Sequence, residues 1–183
     1  MSPKAQAVAD QKLAELEAHQ RTSKIERAVA INVETGAVYY DQTGSTIVWD
    51  GIPVQGVDLS GSEGAALARE AGKNTVLEMH THPGEGGDDS SFSDGDWMGF
   101  SWDHVQSSVV VAGRSIFSLT KTKAWDEVPW QKRTPAAIKR RWNEICDSLS
   151  GAAGDWTVDG VIRDTNVQLA KELRVAFTER ARK

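Results

Sequence analysis

The pattern of apolar and polar positions predicts a helix followed by a strand hairpin at the start of the chain. Residues 3–20 are rich in helix formers, and Ala9, Leu13 and Leu16 recur at helical spacing, which indicates a short amphipathic helix. Beyond it, the pattern predicts a strand over 28–33, a turn over 34–36 and a second strand over 37–40. A third strand is expected over 46–50.

The middle of the chain predicts alternating helices and strands. A helix, a strand, a short helix and two further strands are expected over residues 60–72, 74–82, 94–105, 107–113 and 115–122. Ser60 or Ser62 would cap the first of these helices and Gly72 would stop it. A glycine-rich acidic loop, 83–91, follows the strand that ends at His82.

The last fifty residues predict two helices. Thr134 is suited to N-cap the first of them, with Pro135 in its first turn. Its apolar face would carry Ile138, Trp142, Ile145, Cys146 and Leu149. After a glycine-rich break, a final helix is expected over about 160–181, with Leu169, Leu173, Ala176 and Phe177 facing inward. The predicted class is α/β, with helices packed on a mixed, largely antiparallel sheet.

Composition narrows the functional classes. The 183 residues carry a formal net charge of −5, which argues against a nucleic-acid partner. The single cysteine, Cys146, cannot form an internal disulfide, and this fits a cytoplasmic protein. No apolar run is long enough for a signal peptide or a membrane span, so we expect no membrane partner.

The segment His80-Thr81-His82-Pro83 carries the candidate chemistry. Residues i and i+2 of a strand point to the same face, so the two imidazoles converge at the strand end. A tetrahedral metal held by them needs a third ligand, which a carboxylate can supply, and a catalytic zinc keeps its fourth position open. The nearby aspartates are Asp88, Asp89, Asp94 and Asp96.

Among these aspartates, Asp96 has the best-defined setting. Ser93-x-x-Asp96 has the form of a capping box, which would hold Asp96 in the first turn of a helix. Asp88 and Asp89 lie among glycines and serines, where solvated side chains are expected. Ser91 stands three residues before Asp94, so Asp94 stays open as an alternative.

The order Glu…His-x-His-Pro…Ser-x-x-Asp resembles the JAMM (MPN+) zinc metallopeptidases, in particular the short members of phage and bacterial genomes. The resemblance implies an MPN fold over residues 23–131, between an N-terminal helix (1–22) and a C-terminal helical extension (132–183). It also implies Zn²⁺ as the cofactor, with His80, His82 and Asp96 as its ligands. Ser93 would stabilise the oxyanion, and Glu26 would be the general base.

Three features set limits on this resemblance. Thirteen residues separate His82 from Asp96, and eleven separate it from Asp94, whereas the family usually has a shorter spacing. Glu34 is the nearest competitor of Glu26, but it precedes Thr-Gly at a turn. His104 is expected to be a partly exposed helix residue rather than a fourth ligand.

The resulting expectation is an enzyme that hydrolyses an amide or isopeptide bond in a protein substrate, either a ubiquitin-like tail or a phage structural protein. The alternative is a non-cleaving binding or assembly module of a phage or bacterial complex that keeps the same fold. The substrate and the oligomeric state are open.

Overall fold

The computed structural model of the protein describes residues 1–49, 52–56, 66–67, 69–82, 91–151 and 157–182. The helices are α1 (Pro3–Thr22), α2 (Asp94–Phe100), α3 (Trp130–Arg133), α4 (Pro135–Ser150) and α5 (Val158–Glu172), with a 3-10 helix over Lys123–Glu127. The strands are β1 (Arg27–Asn32), β2 (Val38–Thr43), β3 (Ser45–Trp49), β4 (Ile52–Gly56), β5 (Val76–His82), β6 (Val105–Ala112), β7 (Ser115–Lys121) and β8 (Val175–Ala181).

Six of these strands form one mixed sheet in the order β2-β1-β5-β6-β7-β8. The central pair, β5 and β6, is parallel, and the other four pairings are antiparallel. A parallel pair needs a crossover connection, and α2 lies on the connection between β5 and β6. The predicted α/β class, with helices flanking a mixed and largely antiparallel sheet, is confirmed.

The two faces of the sheet are covered by different helices. Alternation along β1 and β5 sends Val29, Ile31, Leu77 and Met79 to one face, where they pack with Leu16 of α1. The opposite face of the sheet, around β6 and β7, packs against α2, α4 and α5 in a second apolar cluster. His80 and His82 have the opposite parity to Leu77 and Met79. Their side chains therefore lie on the face away from α1.

Helix α1 docks on the sheet through both apolar and charged contacts. Arg27 of β1 makes two hydrogen bonds of 2.8 Å to the Asp41 carboxylate of β2, and Lys12 of α1 donates to the same carboxylate at 2.8 Å. The Arg27 guanidinium is the main reason that the pKa of Asp41 falls to about 2. The turn between β1 and β2 contacts α1 at Gly36, whose φ of +72° favours glycine.

The prediction of a final helix over about 160–181 is wrong beyond Glu172, where the helix ends. The chain reverses at Arg174, which has a φ of 55°, and continues as β8, paired antiparallel with β7. Leu169 and Leu173 are buried as expected, whereas Ala176 is exposed and Phe177 packs against the second apolar cluster only in part. The spacings of four and three between Leu169, Leu173 and Ala176 are compatible with a helix. Beyond Arg174, however, the backbone hydrogen bonds are made with β7 rather than within a helix.

Other predicted elements are present in the structure, but their ends or their pairing partners differ from the prediction. The helix expected over 94–105 ends at Phe100. The strand expected over 46–50 is β3, which pairs with the unpredicted β4 in a separate two-stranded sheet rather than with the main one. Residues 66–67 and 69–70 are helical within the helix expected over 60–72. Residues 60–65 and 68, with the cap candidates Ser60 and Ser62, lie outside the described part of the chain.

Candidate metal centre

Strand β5 places two imidazoles side by side at its carboxyl end. The Nε2 atoms of His80 and His82 are 3.1 Å apart, and the ring centroids are 4.9 Å apart. The side chains are 16% and 15% exposed, so both rings are largely shielded yet still reachable from solvent. The expected convergence of the two histidines is present in the structure.

Helix α2 brings a carboxylate to the two imidazoles. Asp96 Oδ1 lies 3.0 Å from His80 Nε2, and Asp96 Oδ2 lies 3.3 Å from His82 Nε2. The predicted capping box positions this side chain: Asp96 N donates to Ser93 Oγ at 3.2 Å, and Asp96 Oδ2 accepts from Ser93 N at 2.7 Å. Asp96 is thereby fixed at its backbone and at its carboxylate.

The rival aspartate points elsewhere. Asp94 Oδ1 accepts from the Gly95 backbone N–H, and Asp94 Oδ2 lies 3.3 Å from Lys139 Nζ on α4. Asp94 also lines the pocket that contains His80, but its carboxylate is engaged by Gly95 and Lys139, whereas that of Asp96 lies against the imidazoles. The structure thus brings Asp96, and not Asp94, to the histidines. Asp88 and Asp89 lie outside the described residues.

His80, His82 and Asp96 form a group that could hold a metal ion, since one ligand atom from each lies within 4.8 Å of the others. Burial by itself raises the pKa of Asp96, but the two neighbouring imidazoles outweigh burial and hold that pKa well below its usual range. The carboxylate is therefore ionised at neutral pH. Two imidazoles and a carboxylate form a donor set that suits a divalent transition metal.

Glu26 and Ser93, the two predicted catalytic residues, have different settings. Glu26 immediately precedes β1, is half-buried, and lines the same pocket as His80 and Asp96. Ser93 is the N-cap of α2, and its hydroxyl lies 2.8 Å from Asp96 Oδ2 as a donor. Ser93 thus has an observed role in holding Asp96. The oxyanion role of Ser93 and the general-base role of Glu26 stay predictions.

The pocket around the metal centre has a volume of about 540 Å³. Its lining includes polar and apolar residues that the sequence did not single out, among them Tyr40, Glu78, Met98, Trp102 and Lys139. Glu78 is 7% exposed, and burial raises its pKa to about 7. One signal could have identified it: Glu78 is the only charged residue ahead of the histidines in β5, and it shares their parity.

The setting expected for His104, a partly exposed position on a helix, is wrong. This residue is buried, 6% exposed, in the turn between α2 and β6 rather than on a helix. Burial lowers the pKa of its imidazole, and its Nε2 atom has no hydrogen-bond partner within the part of the chain that the structure describes. His104 is not a member of the candidate metal group.

A buried asparagine connects the metal centre to α5. Asn166 Oδ1 accepts from the indole Nε1 atoms of Trp97 and Trp142, at 2.6 and 3.0 Å. Its amide nitrogen donates to Ser91 Oγ at 2.7 Å and to the Phe92 carbonyl at 2.8 Å. Three of these four bonds hold the segment that enters α2 and Trp97 of α2 itself, and the fourth goes to Trp142 of α4. Asn166 therefore helps to position Ser93 and Asp96.

Replacing Asn166 with alanine is expected to lower the free energy of unfolding by about 2–4 kcal/mol, because several buried polar groups lose their partner. Urea unfolding, monitored by tryptophan fluorescence, would measure this loss of stability. Gln168→Ala is the matched control, since Gln168 lies on the same helix and makes one exposed hydrogen bond to Glu172. Equal losses in the two variants would contradict the role assigned to Asn166.

Comparison with known proteins does not assign the chain to a family. No family model matches it, and no curated protein and no solved structure is significantly similar to it. Among the helices of the described residues, none combines the length and the apolar character needed to cross a membrane.

Proposed function

We propose that the protein is a zinc-dependent metallopeptidase of the JAMM type, which hydrolyses an amide or isopeptide bond in a protein substrate. One observation carries the proposal. His80, His82 and Asp96 converge from two separate elements, and Glu26 lines the same pocket. The resemblance in motif order, Glu…His-x-His-Pro…Ser-x-x-Asp, supports the same assignment, with the central sheet and α2 as an MPN-type fold.

The donor geometry supports zinc as the metal. Zinc–ligand distances of about 2.0–2.1 Å at tetrahedral angles separate neighbouring ligand atoms by about 3.3 Å. Here His80 Nε2 lies 3.1 Å from His82 Nε2 and 3.0 Å from Asp96 Oδ1, and His82 Nε2 lies 3.3 Å from the other oxygen of the same carboxylate, Oδ2. Three protein ligands also leave one tetrahedral position open, as catalytic rather than structural zinc sites do.

In this proposal, each protein group has a defined task. A bound zinc ion supplies a Lewis acid and lowers the pKa of water enough for hydroxide to form at neutral pH. Glu26 takes the proton from the attacking water and returns it to the leaving amine. The Ser93 hydroxyl donates to the carbonyl oxygen of the scissile bond as negative charge develops on it. Ser93 would then exchange its present hydrogen bond to Asp96 for one to substrate.

The resemblance suggests a ubiquitin-like tail or a phage structural protein as substrate. A net charge of −5 remains an argument against a nucleic-acid partner. The second candidate, a non-cleaving binding or assembly module, would not require a metal ligand set, a pocket and an adjacent glutamate at one place.

Metal analysis of the purified wild-type protein, followed by a cleavage assay, tests this proposal. We expect about one equivalent of zinc, and cleavage of a panel of ubiquitin-like fusions or phage structural proteins that stops when zinc is chelated. A protein that binds no zinc would overturn the enzymatic function. A protein that holds zinc, binds a member of the panel and leaves it intact would favour the non-cleaving module.

A further inference from the structure

The pocket extends from the metal centre along a row of residues across the sheet. Tyr40 of β2, Ala30 of β1, Glu78 of β5 and Ser108 of β6 are paired in register, so their side chains share the face that carries His80. The next row of this face pairs Ala28 with His80. The pocket borders this row, since Ala28, Tyr40, Glu78 and Ser108 line it together with His80 of the metal centre.

Glu78 is a buried carboxyl group that lines this space. No described residue makes a hydrogen bond or ion pair with it, although Lys121 is close enough to interact electrostatically. Lys121 Nζ instead donates to the Trp102 carbonyl at 2.6 Å and lies over the rings of Phe100 and Trp125. A cation that pairs with a carboxylate in such a largely buried pocket offsets part of the cost of shielding its charge from water.

The Tyr40 hydroxyl is a second group without a partner in the same pocket. Tyr40 is 6% exposed, and its Oη atom is buried without a hydrogen bond to any residue in the described part of the chain. It also interacts electrostatically with Glu78. Buried polar atoms are nearly always satisfied, so the unpartnered Tyr40 hydroxyl, in a pocket that Glu78 also lines, indicates that a ligand completes the site.

The charge of the pocket selects the ligand class. Among the described residues, its lining carries the carboxyl groups of Glu26, Glu78, Asp94 and Asp96 and one lysine, Lys139, which is already paired with Asp94. An acidic ligand would meet repulsion from these carboxylates, whereas a cationic group can pair with Glu78. Met98 and Trp102 add apolar walls suited to a methylene chain.

We propose that this pocket binds the lysine or arginine side chain of a substrate residue next to the scissile bond. Glu78 accepts hydrogen bonds from the cationic group, Tyr40 Oη completes its coordination, and Met98 and Trp102 flank the aliphatic stem. The reference to a scissile bond rests on the proposed function, whereas the preference of the pocket for a cation does not. Glu78 is a specificity residue in this assignment.

The test compares two small probes that differ only in the cation. Nα-acetyl-lysine N-methylamide and Nα-acetyl-norleucine N-methylamide are titrated into the full-length protein with one equivalent of zinc added. Binding is followed by NMR on the Trp102 indole signal, which Trp102→Phe assigns. We expect the lysine probe to bind about tenfold more tightly. That preference should disappear in Glu78→Gln, which keeps the shape of the side chain, and weaken in Tyr40→Phe.

Equal affinity of the two probes for the wild-type protein would overturn the proposal, whatever the variants do. A preference for lysine that survives in Glu78→Gln would overturn the assignment to Glu78. Zinc content, measured on the same samples, separates this proposal from the proposed function. A lysine preference without zinc binding would support the cation pocket and refute the metallopeptidase. Zinc-dependent cleavage without a lysine preference would support the metallopeptidase and refute the cation pocket.

Discussion

Asp96→Asn is expected to lower zinc affinity at least about a hundredfold, whereas Asp94→Asn leaves it unchanged. Asp96 is the carboxylate that lies 3.0 and 3.3 Å from the two imidazole nitrogens, and Asp94 is directed to Lys139 instead. Asparagine keeps an oxygen that can accept from Ser93 N, so the loss would reflect the missing charge rather than an uncapped helix. His82→Ala should lose zinc at least as completely.

Metal content by mass spectrometry and the melting temperature with and without chelator would measure this effect. Because a ligand that binds only the folded state stabilises it, zinc should raise the melting temperature of the wild type and of Asp94→Asn, but not of Asp96→Asn. Zinc retained by Asp96→Asn and lost by Asp94→Asn would transfer the third-ligand role to Asp94. Zinc retained by Asp96→Asn, Asp94→Asn and His82→Ala alike would refute the metal site.

Glu26→Gln is expected to retain zinc while its turnover falls at least about a hundredfold, since the amide cannot accept the proton that the attacking water loses. Glu26 borders the same pocket as His80 and Asp96, and it is not part of the ligand group. Initial rates on whichever substrate the cleavage panel identifies would be compared at equal zinc occupancy, which separates loss of the base from loss of the metal.

The matched control is Glu34→Gln. Glu34 is exposed in the turn between β1 and β2, where its backbone N–H donates to Asn32 Oδ1 and its side chain is remote from the pocket lining. We expect this variant to have wild-type turnover. Undiminished turnover in Glu26→Gln would show that another group removes the proton, and Glu78, which lines the same pocket, would be a candidate.

The parts of the fold that were predicted correctly depend on local physics. Thr134 caps α4 and Pro135 begins it, because a hydroxyl acceptor and a fixed φ act on adjacent residues. The capping box at Ser93 is equally local, and it forms at the predicted place. Apolar runs identified β1 and β5 as strands, and most positions of both strands are buried.

The errors occur where a distant partner decides the structure. Residues 175–181 carry a spacing compatible with a helix, yet they form β8 because the edge of β7 offers a full set of backbone partners. Arg174 takes a positive φ at this reversal although no glycine marks it. Strand β4 is the exception, since it was missed although its partner β3 is its neighbour in the chain.

The sequence by itself determined the two histidines of one strand face, the capped aspartate and the α/β class, because each follows from periodicity or from contacts within four residues. Only the tertiary structure decided that Asp96 rather than Asp94 meets the imidazoles, since this depends on which side of α2 packs against β5. The tertiary structure also determines which residues line the pocket, since Tyr40 and Glu78 are 38 positions apart in the chain. Only pairing through Ala30 of β1 brings them onto one row beside the metal centre.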